Sequence, residues 1–199
     1  MYVGRIVVLG RTKGRSWAGY RVSSRSFPNR RTSVGDGCVL VAPLDLQDMM
    51  KNPYIAYNCL RLVDDAAVVT NGTQTEMIAE KIKDGMKPLD AIAISLVAYG
   101  YERDELETPR IAGVVRGDMG WLGIAREDEV QVKRFSLGED CAFMVTTYEM
   151  TDFRPADITG DDAVQVAEAA FDLPLERPVC SAAAFRSGDG YELVAYNPE

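Results

Sequence analysis

Between Tyr20 and Arg31 the chain reads Tyr-Arg-Val-Ser-Ser-Arg-Ser-Phe-Pro-Asn-Arg-Arg, with four arginines, three serines and an asparagine in twelve residues. A guanidinium presents a planar fork of donors that matches phosphate, and hydroxyls can fill the lone pairs left over. Arg21, Arg25 and Arg30 with Ser23 and Ser24 therefore have the chemistry of an anion site, and Phe27 can cover an aromatic base. The competing reading is a solvated basic loop, which is what most charge runs are.

Three further groups can do chemistry. Asn71-Gly72 follows a buried apolar run and precedes a helix-like segment, so backbone N–H groups and an amide meet where an anion or a developing oxyanion can be held. A plain tight turn uses the same pair. Tyr57 lies in strand-like sequence, on one face with Ile55 and Cys59 by alternation, and a structural tyrosine is the alternative there. The segment from Tyr99 to Ile111 holds Glu102, Asp104, Glu105 and Glu107, then Thr108 and Arg110. One of these carboxylates can serve as a base and Thr108 or Arg110 can bind ligand. Most of the four must be solvated.

The composition narrows the chemistry. Histidine is absent, which removes Ser-His and Cys-His catalytic pairs and histidine-ligated metals. Cys38, Cys59, Cys141 and Cys180 are widely spaced within apolar runs, so no zinc knuckle is expected and each reads as a small buried hydrophobe. No carboxylate spacing demands a metal, and no cofactor is implied. The net charge is −8, yet eight of the 22 basic residues fall in the first 35 positions, which hold no acidic residue. The rest of the chain sets 14 basic residues against all 30 acidic ones, a net −16. A basic segment in an acidic chain fits a localised anion site and argues against nucleic acid as a partner. No apolar run is long enough to span a bilayer, and the first residues lack the apolar core of a signal peptide. A cytoplasmic protein of one domain, residues 1–199, is expected.

The elements that must position these residues are legible in outline. Strand signals run over 3–9, 19–22, 39–42, 55–62 and 66–70, punctuated by Gly, Pro, Asn and Asp. Thr73 to Glu76 has the spacing of a capping box, with a helix to about Asp84. Pro88 opens a second helix whose apolar residues Leu89, Ile92, Ala93, Leu96 and Val97 share one face, and Gly100 ends it. Strands follow over 110–115, 119–125, 130–135 and 141–148. A third helix covers 161–171, and strands 179–185 and 191–196 form a closing hairpin. Runs of strands broken by paired helices are not a βαβ alternation, and two mostly antiparallel sheets covered by helices are expected.

Taken together, Met1-Tyr2-Val3-Gly4-Arg5, the string Tyr-Arg-Val-Ser-Ser-Arg-Ser-Phe-Pro-Asn-Arg at 20–30, Asn58, Thr70-Asn71-Gly72 and Glu107-Thr108-Pro109-Arg110-Ile111 resemble the archaeal-type IMP cyclohydrolases over essentially the whole chain. The resemblance implies an α+β fold like that of the N-terminal-nucleophile hydrolases, in four αββα layers. It implies closure of 5-formamidoimidazole-4-carboxamide ribonucleotide (FAICAR) to IMP with loss of water, a small purine ribonucleotide being the partner. Tyr57 and Glu102 are then expected to transfer protons, and Asn71 with the Gly72 backbone to orient the reacting amides. Arg21, Ser23, Ser24, Arg25, Phe27, Arg30, Asn58, Thr108 and Arg110 are expected to bind substrate. The hydrolases of that fold use an N-terminal Cys, Ser or Thr, whereas Tyr2 should prevent removal of Met1 here. Two alternatives stand beside this reading: an amidohydrolase with such a nucleophile, and a purine-nucleotide-binding protein without catalysis. A homo-oligomer is expected, as for many strand-rich chains of this size.

Overall fold

A computed structural model describes residues 1–45 and 47–198. Its elements in chain order are β1 (Arg5–Thr12), β2 (Arg15–Ser23), β3 (Arg30–Gly35), β4 (Cys38–Pro43), the one-turn helix α1 (Asp48–Lys51), a 3-10 turn (Pro53–Ile55), β5 (Tyr57–Val63), β6 (Ala66–Thr70), α2 (Gln74–Lys83), α3 (Pro88–Tyr99), β7 (Arg110–Arg116), β8 (Met119–Ala125), β9 (Val130–Ser136), β10 (Cys141–Thr146), β11 (Arg154–Pro155), α4 (Ala163–Phe171), β12 (Pro178–Ser187) and β13 (Gly190–Tyr196).

The strands form two sheets. One runs β11-β10-β1-β2-β12-β13 and the other β3-β4-β5-β6-β7-β8-β9. Neighbours pair antiparallel throughout. Both faces of each sheet are covered, which is why strands such as β1 read as continuous apolar runs rather than alternating ones. In β1, Val7 and Leu9 point between the sheets, towards Val69, Ile111 and Leu122. Ile6 and Val8 point the other way, against Val166, Ala167 and Ala170 of α4. On the far side of the second sheet, Ile78 and Ile82 of α2 and Ile92 and Leu96 of α3 cover Val68 and Val114. Each such apolar side chain, fully buried, contributes about 1.5–3 kcal/mol. The order is thus α4, sheet, sheet, α2 with α3: the four αββα layers expected.

Helix ends follow their local chemistry. Pro88 opens α3, and Gly100 at φ 62° closes it in a backbone region that disfavours side chains. Asp162 caps α4 by accepting from the Gln165 N–H. The capping box expected at Thr73–Glu76 does not form: the Thr73 side chain makes no cap bond, and Glu76 instead accepts from Asn58 Nδ2 at 2.7 Å. Strand β3 escapes an alternation search because its inward side chains, Arg30 and Thr32, are polar. Of the cysteines, Cys59 and Cys180 are buried, Cys38 is half-buried and Cys141 is exposed, so the uniform burial expected is corrected. Among the described residues, no helix is long and apolar enough to cross a membrane.

Candidate active site

Strand starts converge at one end of the space between the sheets. Arg5 opens β1 on the same inward face as Val7 and Leu9, Arg30 opens β3, and Tyr57 opens β5. Arg110 opens β7 on its helix-facing side, next to Ala112 and Val114 in alternation. The segment after α3 brings Glu102 among them. A cavity of about 500 Å³ lies here, lined by Tyr2, Arg5, Ser24, Ser26, Phe27, Arg30, Asn52, Tyr54, Ile55, Arg103, Asp104, Glu105, Leu106 and Tyr148. That volume falls within the range of small-ligand sites.

Glu102 is fully buried just behind this lining. Its Oε2 accepts from Arg5 Nη2 at 3.0 Å, its Oε1 lies 3.7 Å from Arg110 Nη1, and Oε1 has no hydrogen-bond partner among the described residues. Burial outweighs both guanidiniums and raises the Glu102 carboxyl to about 7. A carboxylate tuned to neutrality can both take and give a proton.

Tyr57 and Tyr20 (on β2) meet edge to face, with their hydroxyl oxygens 2.7 Å apart. Burial raises both phenols, so both keep their protons at neutral pH. Arg30 donates from Nε to Phe27 O at 3.1 Å, which aims the remainder of its guanidinium at the cavity. Ser24 Oγ accepts from the Phe27 N–H at 3.0 Å and holds the same loop. Thr108 binds Asp104 Oδ2 at 2.7 Å and Tyr148 Oη at 2.5 Å. It therefore braces the cavity wall, with Asp104 and Tyr148 forming the lining.

Several expected site residues lie elsewhere. Arg21 alternates with the inward Tyr20 and Val22, so it points to the α4 side of its sheet. There Nη1 and Nη2 donate to Leu173 O and Leu175 O at 2.7 and 2.6 Å, and Nε donates to Ser23 Oγ. Arg21 and Ser23 thus meet at the end of α4, outside the residues that line the cavity. Asn58 points at α2, where it holds Glu76. The Asn71 amide is held at three points: Oδ1 accepts from Ile111 N and Gln74 Nε2, and one N–H of Nδ2 donates to Pro109 O. The Gly72 N–H donates to Thr70 Oγ1. These bonds tie Asn71 and Gly72 into the turn before α2, and neither is among the residues that line the cavity. Gly72 supplies space instead, since a Cβ there would stand 2.5 Å from Arg110 Nη1 and 3.4 Å from Glu102 Oε1. Arg25 sits at the rim, ion-paired to Glu176 at 3.1 Å and stacked over Tyr2. Arg110 lies behind Glu102, over the rings of Tyr54 and Tyr99.

Sequence reasoning overlooked Arg5, Tyr54 and Tyr148. The signal for Arg5 was present: it begins an apolar strand two residues before Val7, so alternation turns its charge inward. Among the described residues, no three His, Cys, Asp or Glu side chains cluster closely enough to hold a metal ion.

The family model described as "IMP cyclohydrolase-like protein" matches residues 2–190. The IMP cyclohydrolase of Methanothrix thermoacetophila is 57% identical over 198 residues, the whole of both chains. That of Methanocella arvoryzae is 49% identical over 99% of this chain and 98% of its own. That of Natronomonas pharaonis is 46% identical over the whole of both. A chain that matches the family model over residues 2–190 and these enzymes from end to end belongs to the IMP cyclohydrolase-like protein family.

Proposed function

We propose that this chain closes FAICAR to IMP and water in the cavity between the sheets, with Glu102 and Tyr57 moving the protons and with Arg30, Ser24 and Phe27 holding the nucleotide. The carboxamide nitrogen attacks the formyl carbon of the same molecule, forming one C–N bond. That nitrogen gives up a proton and the formyl oxygen gains one. In the second stage the formamido nitrogen loses its proton, a C=N bond forms, and the hydroxyl departs as water with a second proton. Two protons thus travel from the two nitrogens to one oxygen, and no outside oxidant or reductant enters.

The reaction is intramolecular, so holding the two groups in a reactive rotamer removes much of the barrier. The observation that carries the reading is Glu102: buried beside Arg5, raised to about 7, and with one oxygen that has no hydrogen-bond partner among the described residues. Such a carboxyl can accept the amide proton and return it during dehydration. The guanidinium of Arg5, beside it and in the cavity lining, supplies positive charge for the developing oxyanion.

Tyr57 suits the donor role. Tyr20 and Tyr57 carry two hydroxyl protons and share one hydrogen bond. Tyr20 is fully buried, whereas Tyr57 retains slight exposure, and the cations Arg5 and Arg30 beside Tyr57 can only donate. Tyr20 is best satisfied as the donor, which leaves the Tyr57 proton for the ligand.

Purified protein mixed with FAICAR should form IMP, followed by absorbance, and Glu102→Gln should slow it by about 100-fold or more. Binding of FAICAR without turnover would leave a nucleotide site and remove the catalytic reading.

A further inference from the structure

We propose that Gln74 is a positioning residue, which holds the Arg110 guanidinium just out of hydrogen-bond reach of Glu102 and so keeps Oε1 of that carboxylate free for the reaction. The proposal rests on the reading of Glu102 as the group that moves protons.

Gln74 is the first residue of α2 and is fully buried. Its amide has one orientation that satisfies its neighbours. Nε2 faces Asn71 Oδ1 at 3.0 Å and Ile111 O at 3.3 Å. Both are acceptors, and the Asn71 oxygen is identified as such because the Ile111 N–H donates to it at 2.8 Å. The Asn71 amide cannot turn over, because its Nδ2 is engaged by Pro109 O. Gln74 Oε1 must therefore face Arg110, and Arg110 Nη1 donates to it at 2.8 Å.

The same Nη1 is 3.7 Å from Glu102 Oε1, too far for a hydrogen bond. Glu102 Oε1 is buried and has no hydrogen-bond partner among the described residues. Tyr54 and Tyr99 flank the guanidinium, and Gly72 leaves it room. The charged groups that act on Glu102 are Arg5 from β1, Arg110 from β7, Arg30 from β3 and Asp104 from its own segment. Of the two arginines in contact, Arg5 already holds Oε2. Arg110 is the one whose approach is restrained.

Removing the Gln74 oxygen takes from Arg110 Nη1 the acceptor it has among the described residues, and Glu102 Oε1 lies 3.7 Å from the same nitrogen. Arg110 should then close on Glu102 and stabilise its charged form. A hydrogen bond to a charged group moves a carboxyl by about one pH unit or more.

The test uses Gln74→Met and Gln74→Leu, which remove the acceptor at similar volume, and Gln74→Glu, which keeps an oxygen for Arg110. The carboxyl of Glu102 is titrated directly by NMR of protein carrying carbon-13 glutamate, with Glu102→Gln assigning the signal, and the pH profile of kcat/KM is measured alongside. Expected for Met or Leu, in whichever folds, is a midpoint lowered by about one pH unit with a reduced plateau. In Gln74→Glu the midpoint should stay in place or rise. An unmoved midpoint in a folded Met or Leu variant overturns the proposal, as does a lowered midpoint in Gln74→Glu. Because the titration needs no turnover, it remains decisive even if Glu102→Gln were to keep full activity, the result that would sink the catalytic reading alone.

Discussion

Arg5 Nη2 lies 3.0 Å from Glu102 Oε2, whereas Oε1 of the same buried carboxylate has no hydrogen-bond partner among the described residues. The charge is thus half satisfied, which keeps the proton affinity near neutrality instead of collapsing it as a fully bonded pair would. The kcat/KM of the protein should fall on the acid side with a midpoint near 7, the value to which burial raises this carboxyl. Glu102→Gln should lose about 100- to 10,000-fold in kcat, the usual range for a general acid–base group. A variant that keeps wild-type turnover and an unchanged acid limb would remove Glu102 from the chemistry.

The same shift makes Glu102 a liability for stability at high pH. Its folded-state value of about 7 lies above an unfolded carboxylate value of about 4.3. Between those values the folded protein binds more protons than the unfolded one, so stability falls as pH rises. The favourable contribution is complete below about pH 4.3 and gone above about pH 7, and its full size is about 4 kcal/mol. Urea unfolding at pH 5 and pH 8 checks this. Relative to wild type, Glu102→Gln should gain stability on going from pH 5 to pH 8. A difference that does not change with pH would contradict the assignment.

Arg21 behaves as part of the frame. Replacing it with methionine takes a donor from the carbonyls of Leu173 and Leu175, of which Leu173 O keeps the Leu175 N–H, at a cost of about 1–3 kcal/mol. Thermal unfolding should drop by roughly 5 °C in a chain of this size, while KM for FAICAR and kcat stay at wild-type values below that transition. A raised KM without loss of stability would return Arg21 to the ligand.

Arg21 and Arg30 also mark how far the sequence could be read. Both belong to one arginine/serine string, and composition treats them alike. Their fates are set by strand parity. In β2, Tyr20 and Val22 face the core between the sheets, so Arg21 faces away. Arg30 begins another strand of another sheet and faces inward with Thr32. The strand runs from Ala66 to Thr70 and from Met119 to Ala125, and the helix opened by Pro88 and closed by Gly100, were legible because local chemistry dictates them. Glu102 stood out as one of four carboxylates, but its isolation from water depends on Arg5, about a hundred positions away. Asn71 looked like a ligand group because amides at a turn are versatile. Its three bonds to Pro109, Ile111 and Gln74 come from a neighbouring strand and a helix start that no local pattern reports.

Tyr20 and Tyr57 offer a last test, because one hydrogen bond joins two phenols and its direction decides the role of Tyr57. If Tyr20 donates, Tyr57 keeps a free proton for the formyl oxygen, and Tyr20→Phe allows the Tyr57 hydroxyl to rotate out of line. Tyr57→Phe should then lower kcat about 100-fold or more, as expected for loss of an acid group. Tyr20→Phe should lower kcat by a smaller factor, about 3- to 10-fold, the size of one neutral hydrogen bond. In the double variant the Tyr20 substitution should cost nothing further, since the group it orients is already gone. Independent, multiplicative losses would mean that the Tyr20 hydroxyl acts by a route other than Tyr57. Full activity in Tyr57→Phe would assign the protonation of the leaving oxygen to another group.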